Sequence, residues 1–279
     1  MKRLILLFFL VPSIAFGWGE DGHRVVCQIA FDELTPAARS EVNRLLASDA
    51  NFENFADSCL VADSPERIRF LDHFMNLPRS TRVITTAECP LAESCVISAI
   101  QNDFLVLQNA EASDAEKLLA LKLLGHWVGD VHQPLHVSFQ DDRGGNSNNV
   151  DVDDHRVNLH GVWDYQIMAR NLGDDFLRIA EDLRDSITEK QRNEWQHDSP
   201  IEWVDESYQI TISPSVNYCV QKQGACWYTN DNMMLDKGEP WRDIEITDDY
   251  LKSHSATVSL RLQQAAIRLA ELLNEAFQR

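Results

Sequence analysis

The stretch from Ser113 to Pro134 limits this chain most. Ser113-Asp114-Ala115-Glu116 is a capping box, and the strongly apolar run from Leu118 to Val131 predicts a helix that has to be buried. Pro134 cannot continue a helix and biases Gln133 out of the helical region, so the helix ends near His132. On it, His126 and Asp130 stand four apart and project from one face, with His136 just beyond the end. Buried charge set among Trp127, Val128 and Val131 is costly unless partnered, and a metal ion is an economical partner.

The same spacing returns downstream. Asn158 is placed to cap a helix on which His160 and Asp164 again sit four apart, before Gly173 ends it. Imidazole and carboxylate at this spacing on two neighbouring helices are competent to hold a divalent metal. Further candidates are His23 in the first helix, Asp63 just before a helix opened by Ser64-Pro65, and His73. A single His–Asp pair is more often a hydrogen-bonded pair than a ligand set, and a lone His23 or His73 says less. Two pairs together with His136 favour metal. Spacing alone therefore reaches a helical, zinc-binding protein.

The remaining chain reads as helical. Thr35-Pro36 and Ser64-Pro65 each combine a cap with a first-turn proline, and Ser199-Pro200-Ile201-Glu202 is a second capping box. From Ala256 to Phe277, residues Val258, Leu262, Ala266, Leu269, Leu273 and Phe277 recur at helical spacing. One region differs. Arg143-Gly144-Gly145-Asn146 is turn chemistry, and Val150 and Val152 alternate before a polar turn at Asp153-Asp154-His155, which predicts a short β-hairpin near 148–157. With no repeat, low-complexity tract or linker, residues 18–279 read as one mainly α domain.

Lys2 and Arg3, the hydrocarbon run Leu4 to Val11 and the small residues around Ala15-Phe16-Gly17 read as a secretory signal peptide over 1–17; an uncleaved anchor is the alternative, although the run is short for a membrane span. No second apolar run of spanning length follows, so no membrane anchor is expected after processing, and the product is secreted or periplasmic. Six cysteines suit that oxidising route, although six allow fifteen pairings. Cys89 and Cys95 flank a short segment with Pro90, and Cys219 and Cys226 flank Gly224; closing these two local loops leaves Cys27 for Cys59. A cysteine zinc site is the competing idea, but it lacks any CxxC pair.

The formal charge is −19, and becomes −21 when Lys2 and Arg3 leave with the signal segment. Such a protein cannot grip phosphate through a broad basic face, so any positive field for a polyanion has to come from bound metal. A composition of 44% hydrophobic and 25% charged residues excludes a disordered chain, a collagen-like fibre and a multi-span membrane protein.

Taken in order, Trp18-Gly19-Glu20-Asp21-Gly22-His23, Ala62-Asp63, Asp72-His73-Phe74, the segment His126 to His136, Gly144-Gly145-Asn146 and Asn158-Leu159-His160-Gly161-Val162-Trp163-Asp164 resemble the type I single-strand-specific nucleases, also called 3'-nucleotidase/nucleases. The match runs through essentially the whole chain after residue 17. It implies a helical fold of the kind shared with zinc-dependent phospholipase C, and three Zn²⁺ ions. Carried over, Asp63, His73, His126 and Asp130 hold the first zinc, and His136, His160 and Asp164 the second. His23 and the backbone amine and carbonyl of Trp18 hold the third, with Asp130 bridging first and third. His132, His155, His197 and His254 match no ligand position.

The resemblance further implies phosphodiester hydrolysis of single-stranded DNA and RNA to 5'-phosphate products, 3'-nucleotides as additional substrates, and a monomer. Phe74 would stack on a base, against a core-packing alternative, while Asn76, Gly144 and Asn146 would contact the base edge or sugar. Where the family places its phosphate-binding arginine this chain has Glu66, and Arg67 one residue later takes that role beside Asp63 and Asp130 in the catalytic set. Two other readings stand beside this one: a phospholipase C-like phosphodiesterase and a non-catalytic exported zinc-binding protein. Against the lipases, the first histidine follows Trp18 by only five residues and the last ligand is Asp164 rather than Glu.

Overall fold

A computed structural model describes residues 18–152, 155–222, 224–227, 242–244 and 246–278. The predicted signal segment 1–17 and the Asp153-Asp154 part of the predicted turn lie outside the described residues. The helices are α1 (Gly19–Asp32), α2 (Pro36–Leu46), α3 (Phe55–Ser58), α4 (Val96–Gln108), α5 (Asp114–His132), α6 (Leu159–Gly161), α7 (Ile167–Asn171), α8 (Phe176–Ser186), α9 (Glu189–Trp195), α10 (Pro200–Thr211) and α11 (Asp248–Ala276). The strands are short: β1 (Met75–Leu77), β2 (Val137–Phe139), β3 (Asn148–Val152), β4 (His155–Asn158), β5 (Val220–Lys222), β6 (Ala225–Trp227) and β7 (Arg242–Ile244).

Helix α5 is the centre. Ser113 and Glu116 close its capping box as expected, and every residue from Ala120 to His132 is buried, with α4, α11, α1, α10 and α2 packed around it. An apolar helix covered on all sides satisfies the burial that its composition requires. Its carboxyl end is held by side chains from two neighbours. The Ser207 hydroxyl donates to the Val131 carbonyl, Thr211 to that of Pro134, and Arg261 to that of His132 at 3.2 Å. These bonds satisfy carbonyls that a helix end otherwise leaves orphaned.

The expected helix at Ser64-Pro65 does not form. Asp63 instead ends a 3-10 turn over Val61–Asp63, the Ile68 amide returns to the Ala62 carbonyl at 3.0 Å, and Arg69 adopts a left-handed φ of 53°. The cap-plus-proline device is a local preference of about 1 kcal/mol, and here Arg69 is claimed by Asp72 and Asp103, with bonds of 2.5 and 2.8 Å. The C-terminal helix begins at Asp248, eight residues before the predicted Ala256, because Thr247 supplies a cap to the Tyr250 amide.

The hairpin is present as β3 and β4, with Val152 opposite His155, so His155 opens a strand instead of lying in the turn. Two more small sheets accompany it among the described residues, and neither was expected. In one, β1 runs parallel to β2 with Met75 opposite Val137, which lays the Phe74–Asn76 stretch alongside His136. Three-residue strands joined across some sixty residues leave no alternating pattern to read. Disulfides join Cys27 to Cys59, Cys89 to Cys95 and Cys219 to Cys226, which is the predicted pairing.

Buried Arg261 and Arg268 both bond Glu206 on α10, and Arg268 also bonds Asp198. Burial works against the Glu206 charge, but Arg268 and Arg261 outweigh it and hold the carboxyl below its ordinary range. Glu206→Gln should cost about 2–3 kcal/mol in denaturant unfolding, less than the 3–5 kcal/mol of a wholly buried pair because Glu206 is partly exposed. A depressed carboxyl contributes its stability above its unfolded pKa and loses it as pH falls through the folded value. The wild-type advantage should therefore be full near pH 7 and shrink below about pH 4.3.

Candidate metal centre

Seven separate pieces of backbone bring the predicted residues to one place. Helix α1 carries His23, the Val61–Asp63 turn Asp63, a second 3-10 turn (Phe70–His73) His73, and α5 both His126 and Asp130. A 3-10 turn over Pro134–His136 carries His136, and α6 carries His160. Asp164 lies in a π-helical turn over Val162–Gln166, where an uninterrupted α-helix was expected; such turns re-aim a side chain and are frequent at functional sites. Asn158 does cap this stretch, through its side chain to the Gly161 amide at 2.7 Å, and Gly173 follows with a φ of 102°.

Four histidines are held from behind by main-chain carbonyls. His126 Nδ1 donates to Cys59 O at 2.8 Å, His160 Nδ1 to Gly144 O at 2.7 Å, His73 Nε2 to Ile68 O at 3.2 Å, and His136 Nδ1 to His73 O. A carbonyl only accepts, so each of these nitrogens carries the proton, and a neutral ring then turns its lone pair inward. Those inward nitrogens meet one another and the carboxylates. His126 Nε2 lies 3.2 Å from His73 Nδ1, and the two lie 3.3 and 3.1 Å from Asp130 Oδ2. His160 Nε2 lies 3.6 Å and His136 Nε2 4.0 Å from the Asp164 carboxylate.

Acceptors facing acceptors require positive charge between them. Both Asp130 oxygens, both His23 ring nitrogens, His136 Nε2 and Asp164 Oδ2 are buried without a hydrogen-bond partner among the described residues. Three sets of ligand atoms converge closely enough to hold an ion: His23, Asp63 and His126; His73, His126 and Asp130; and His136, His160 and Asp164. A metal ion fits this donor set, and outward N–H to carbonyl with inward lone pair is the usual way a ligating histidine is oriented.

The electrostatics follow from burial and neighbours. Burial pushes His23 down to about 4 and His160 down to about 3, and also lowers His136, so these rings favour the neutral form that binds metal. Burial also opposes charge on His126, but Asp130 and Asp63 outweigh it and raise that ring. Asp130 is held well below the carboxylate range by His126 and His136 despite its burial. Asp164 is driven well above it by burial, with Asp130 and Asp63 adding to the effect.

Packing sets the close approaches. The Trp18 ring is fully buried and donates to the Gly129 carbonyl at 2.8 Å, anchoring the start of α1 on α5. A Cβ at Gly129 would stand 2.6 Å from His23 Nδ1, so glycine is what admits His23. The Cys27–Cys59 disulfide ties α1 to the residue whose carbonyl orients His126. Gly144 has a φ of +63°, and a Cβ there would stand 2.7 Å from the Leu135 carbonyl. Asp142 builds that turn, accepting from the Gly145 amide and the Asn148 side chain, each at 3.2 Å.

Beside the histidines opens a cavity of about 450 Å³. Arg67, His73, Phe74, Asn76, His136, Gly144, Asn146 and His160 all line it, so the predicted substrate-binding residues share one space with the ligand candidates. Phe74 is only partly buried there. Glu66 is exposed, whereas Arg67 faces the cavity and pairs with Asp63 at 3.2 Å. Arg69 is absorbed by Asp72 and Asp103 and lies over Trp127. Outside the cluster, His132 turns to Arg268 at 2.9 Å, His254 bonds the Ser215 carbonyl, and His155 and His197 are exposed.

Sequence reasoning missed Gln133. Buried at the end of α5, it donates through Nε2 to Asp164 Oδ1 and accepts from the Leu135 amide. The sequence marks it as the residue before proline, and its place in the His-Gln-Pro-Leu-His run between two ligand candidates is the available signal. Gln133→Ala should weaken metal affinity at the His136–His160–Asp164 group about 10–100-fold, as loss of a ligand's hydrogen-bond partner does. Metal titration against a competing chelator measures it, and unchanged affinity would show that Asp164 needs no such support.

The model of the S1/P1 Nuclease family matches residues 18–278. Endonuclease 2 of Arabidopsis thaliana is 30% identical over 98% of this chain and 94% of its own length. Nuclease S1 of Aspergillus oryzae is 32% identical over 70% of each chain, and nuclease P1 of Penicillium citrinum 25% identical over 92% of this chain and 97% of its own. With the family model spanning the whole histidine–aspartate cluster and its cavity, the chain belongs to the S1/P1 nuclease family.

Proposed function

We propose that this nuclease is an exported, zinc-dependent enzyme that cuts single-stranded DNA and RNA to 5'-phosphate ends and also acts on 3'-nucleotides. The observation that carries the metal reading is the set of four histidines whose outer N–H groups are spent on carbonyls while their inner nitrogens converge on Asp130 and Asp164. A donor set of five histidines and three aspartates suits zinc better than magnesium or calcium, which take oxygen ligands. Asp63, His73, His126 and Asp130 would hold one ion, and His136, His160 and Asp164 a second. His23 with the Trp18 amine and carbonyl would hold a third that shares Asp130. Bound zinc would supply charge to offset the phosphodiester and would make water acidic enough to yield a hydroxide nucleophile near neutral pH.

The protein's own groups do the rest. Asp63, Asp130 and Asp164 place the ions, and their three negative charges against six positive leave a local excess of about +3 by formal count, enough to draw phosphate into an acidic molecule. Arg67, at the mouth beside Asp63, takes a non-bridging phosphate oxygen. Phe74 offers its face to a base, and Asn76, Gly144 and Asn146 meet the base edge or sugar across the cavity. Stacking accepts any base, which suits weak sequence preference. The chain acts as a monomer outside the cytoplasm, secreted or periplasmic. Purified protein should carry three zinc ions and leave 5'-phosphate ends on a single-stranded oligonucleotide; zinc bound without turnover would overturn the nuclease reading, and 3'-phosphate ends the assignment of the leaving oxygen.

Processing and activity should coincide. Once the segment 1–17 is removed, Trp18 has a free amine with a pKa of about 7.7–8.0, available as a ligand, whereas an amide nitrogen at the same place is a poor one. Protein beginning at Trp18 should hold three zinc ions and be active; protein with one additional N-terminal residue should hold two and be nearly inactive. Equal zinc content and activity in both would sink this assignment.

A further inference from the structure

Phe70 is an aromatic ring that neither the core nor the site described so far uses. It is 54% exposed, although it opens the 3-10 turn that ends at His73. Single exposed apolar residues are ordinary on a surface, but the surroundings of this one are not. Phe70 lines the same cavity as the cluster, its ring meets that of Phe74 edge-to-face at 5.3 Å and 78°, and the Arg67 guanidinium stands 6.0 Å from its centroid. The backbone beneath is fixed, because Asp72 and Arg69 bond one another and Asp103 anchors Arg69. The result is a rigid wall with two rings nearly at right angles and a cation beside them.

We infer that Phe70 is a second base-stacking platform, which takes the base of the nucleotide adjoining the one at Phe74. This rests on the nuclease reading above. The nearly perpendicular rings cannot both stack on one base, so each serves its own, while Arg67 lies close enough to meet a phosphate of the same strand. A planar apolar face beside a cation matches what a single strand presents, alternating bases and phosphates. Phe70 thereby favours polymers over mononucleotides, since only a polymer brings the second base.

The test compares wild type, Phe70→Ala and Phe70→Trp, each zinc-loaded, on a 3'-mononucleotide, a dinucleotide and a longer single strand. A phosphorothioate strand serves as a poorly hydrolysed binding probe. Loss of one stacking contact of about 1–3 kcal/mol should raise KM for the dinucleotide and the strand, and Kd for the probe, about 5- to 150-fold, with kcat kept. The mononucleotide should be unaffected, and tryptophan should restore binding. An equal loss on the mononucleotide would mean that Phe70 merely braces Phe74, and no change on the strand would make it plain surface; either overturns the proposal. Failure of the nuclease reading looks different, because wild type would then turn over none of the three substrates.

Discussion

Asp130 is the constraint around which this molecule is built. A fully buried carboxylate in a helix that is apolar on every side is tolerable only if positive charge reaches it. Five histidines stand around that core, from α1, from the Phe70–His73 turn, from α5, from the turn after it and from α6, and four of them are aimed by carbonyls at their backs. The scaffold serves those carbonyls. The Cys27–Cys59 disulfide holds the one behind His126, and the Asp142-centred turn holds the one behind His160.

The end of α5 shows how stability and site share residues. Hydroxyls from α10 and an arginine from α11 satisfy its last carbonyls, so the chain leaves the helix at a fixed angle and delivers Gln133 and His136. That arginine, Arg261, is paired with Glu206, and Arg268 beside it with Glu206 and Asp198. Close approach is supplied by glycine where it is needed, Gly129 for His23 and Gly144 for the Leu135 carbonyl. The cavity beside the cluster is edged by Arg67 and Arg143 and backed by His73, His136 and His160.

Much of this was legible in the sequence. The central helix, its capping box, its stop at Pro134 and the His126–Asp130 spacing are local facts, set by periodicity and by proline, and they survive folding unchanged. The hairpin near 148–157 and the Cys89–Cys95 and Cys219–Cys226 disulfides followed from short-range signals of the same kind, and Cys27–Cys59 was the pair that remained. Motif order identified the family and the residues of the cluster, although not how they meet.

What only the tertiary structure decided is long-range. The parallel pairing of β1 with β2, the refusal of Ser64-Pro65 to start a helix and the grip of Gln133 on Asp164 each depend on partners far along the chain. Proline apart, local propensities and caps are worth about a kilocalorie per mole at a position. A buried ion pair or an oriented carbonyl outweighs them, and neither is visible until the chain has folded.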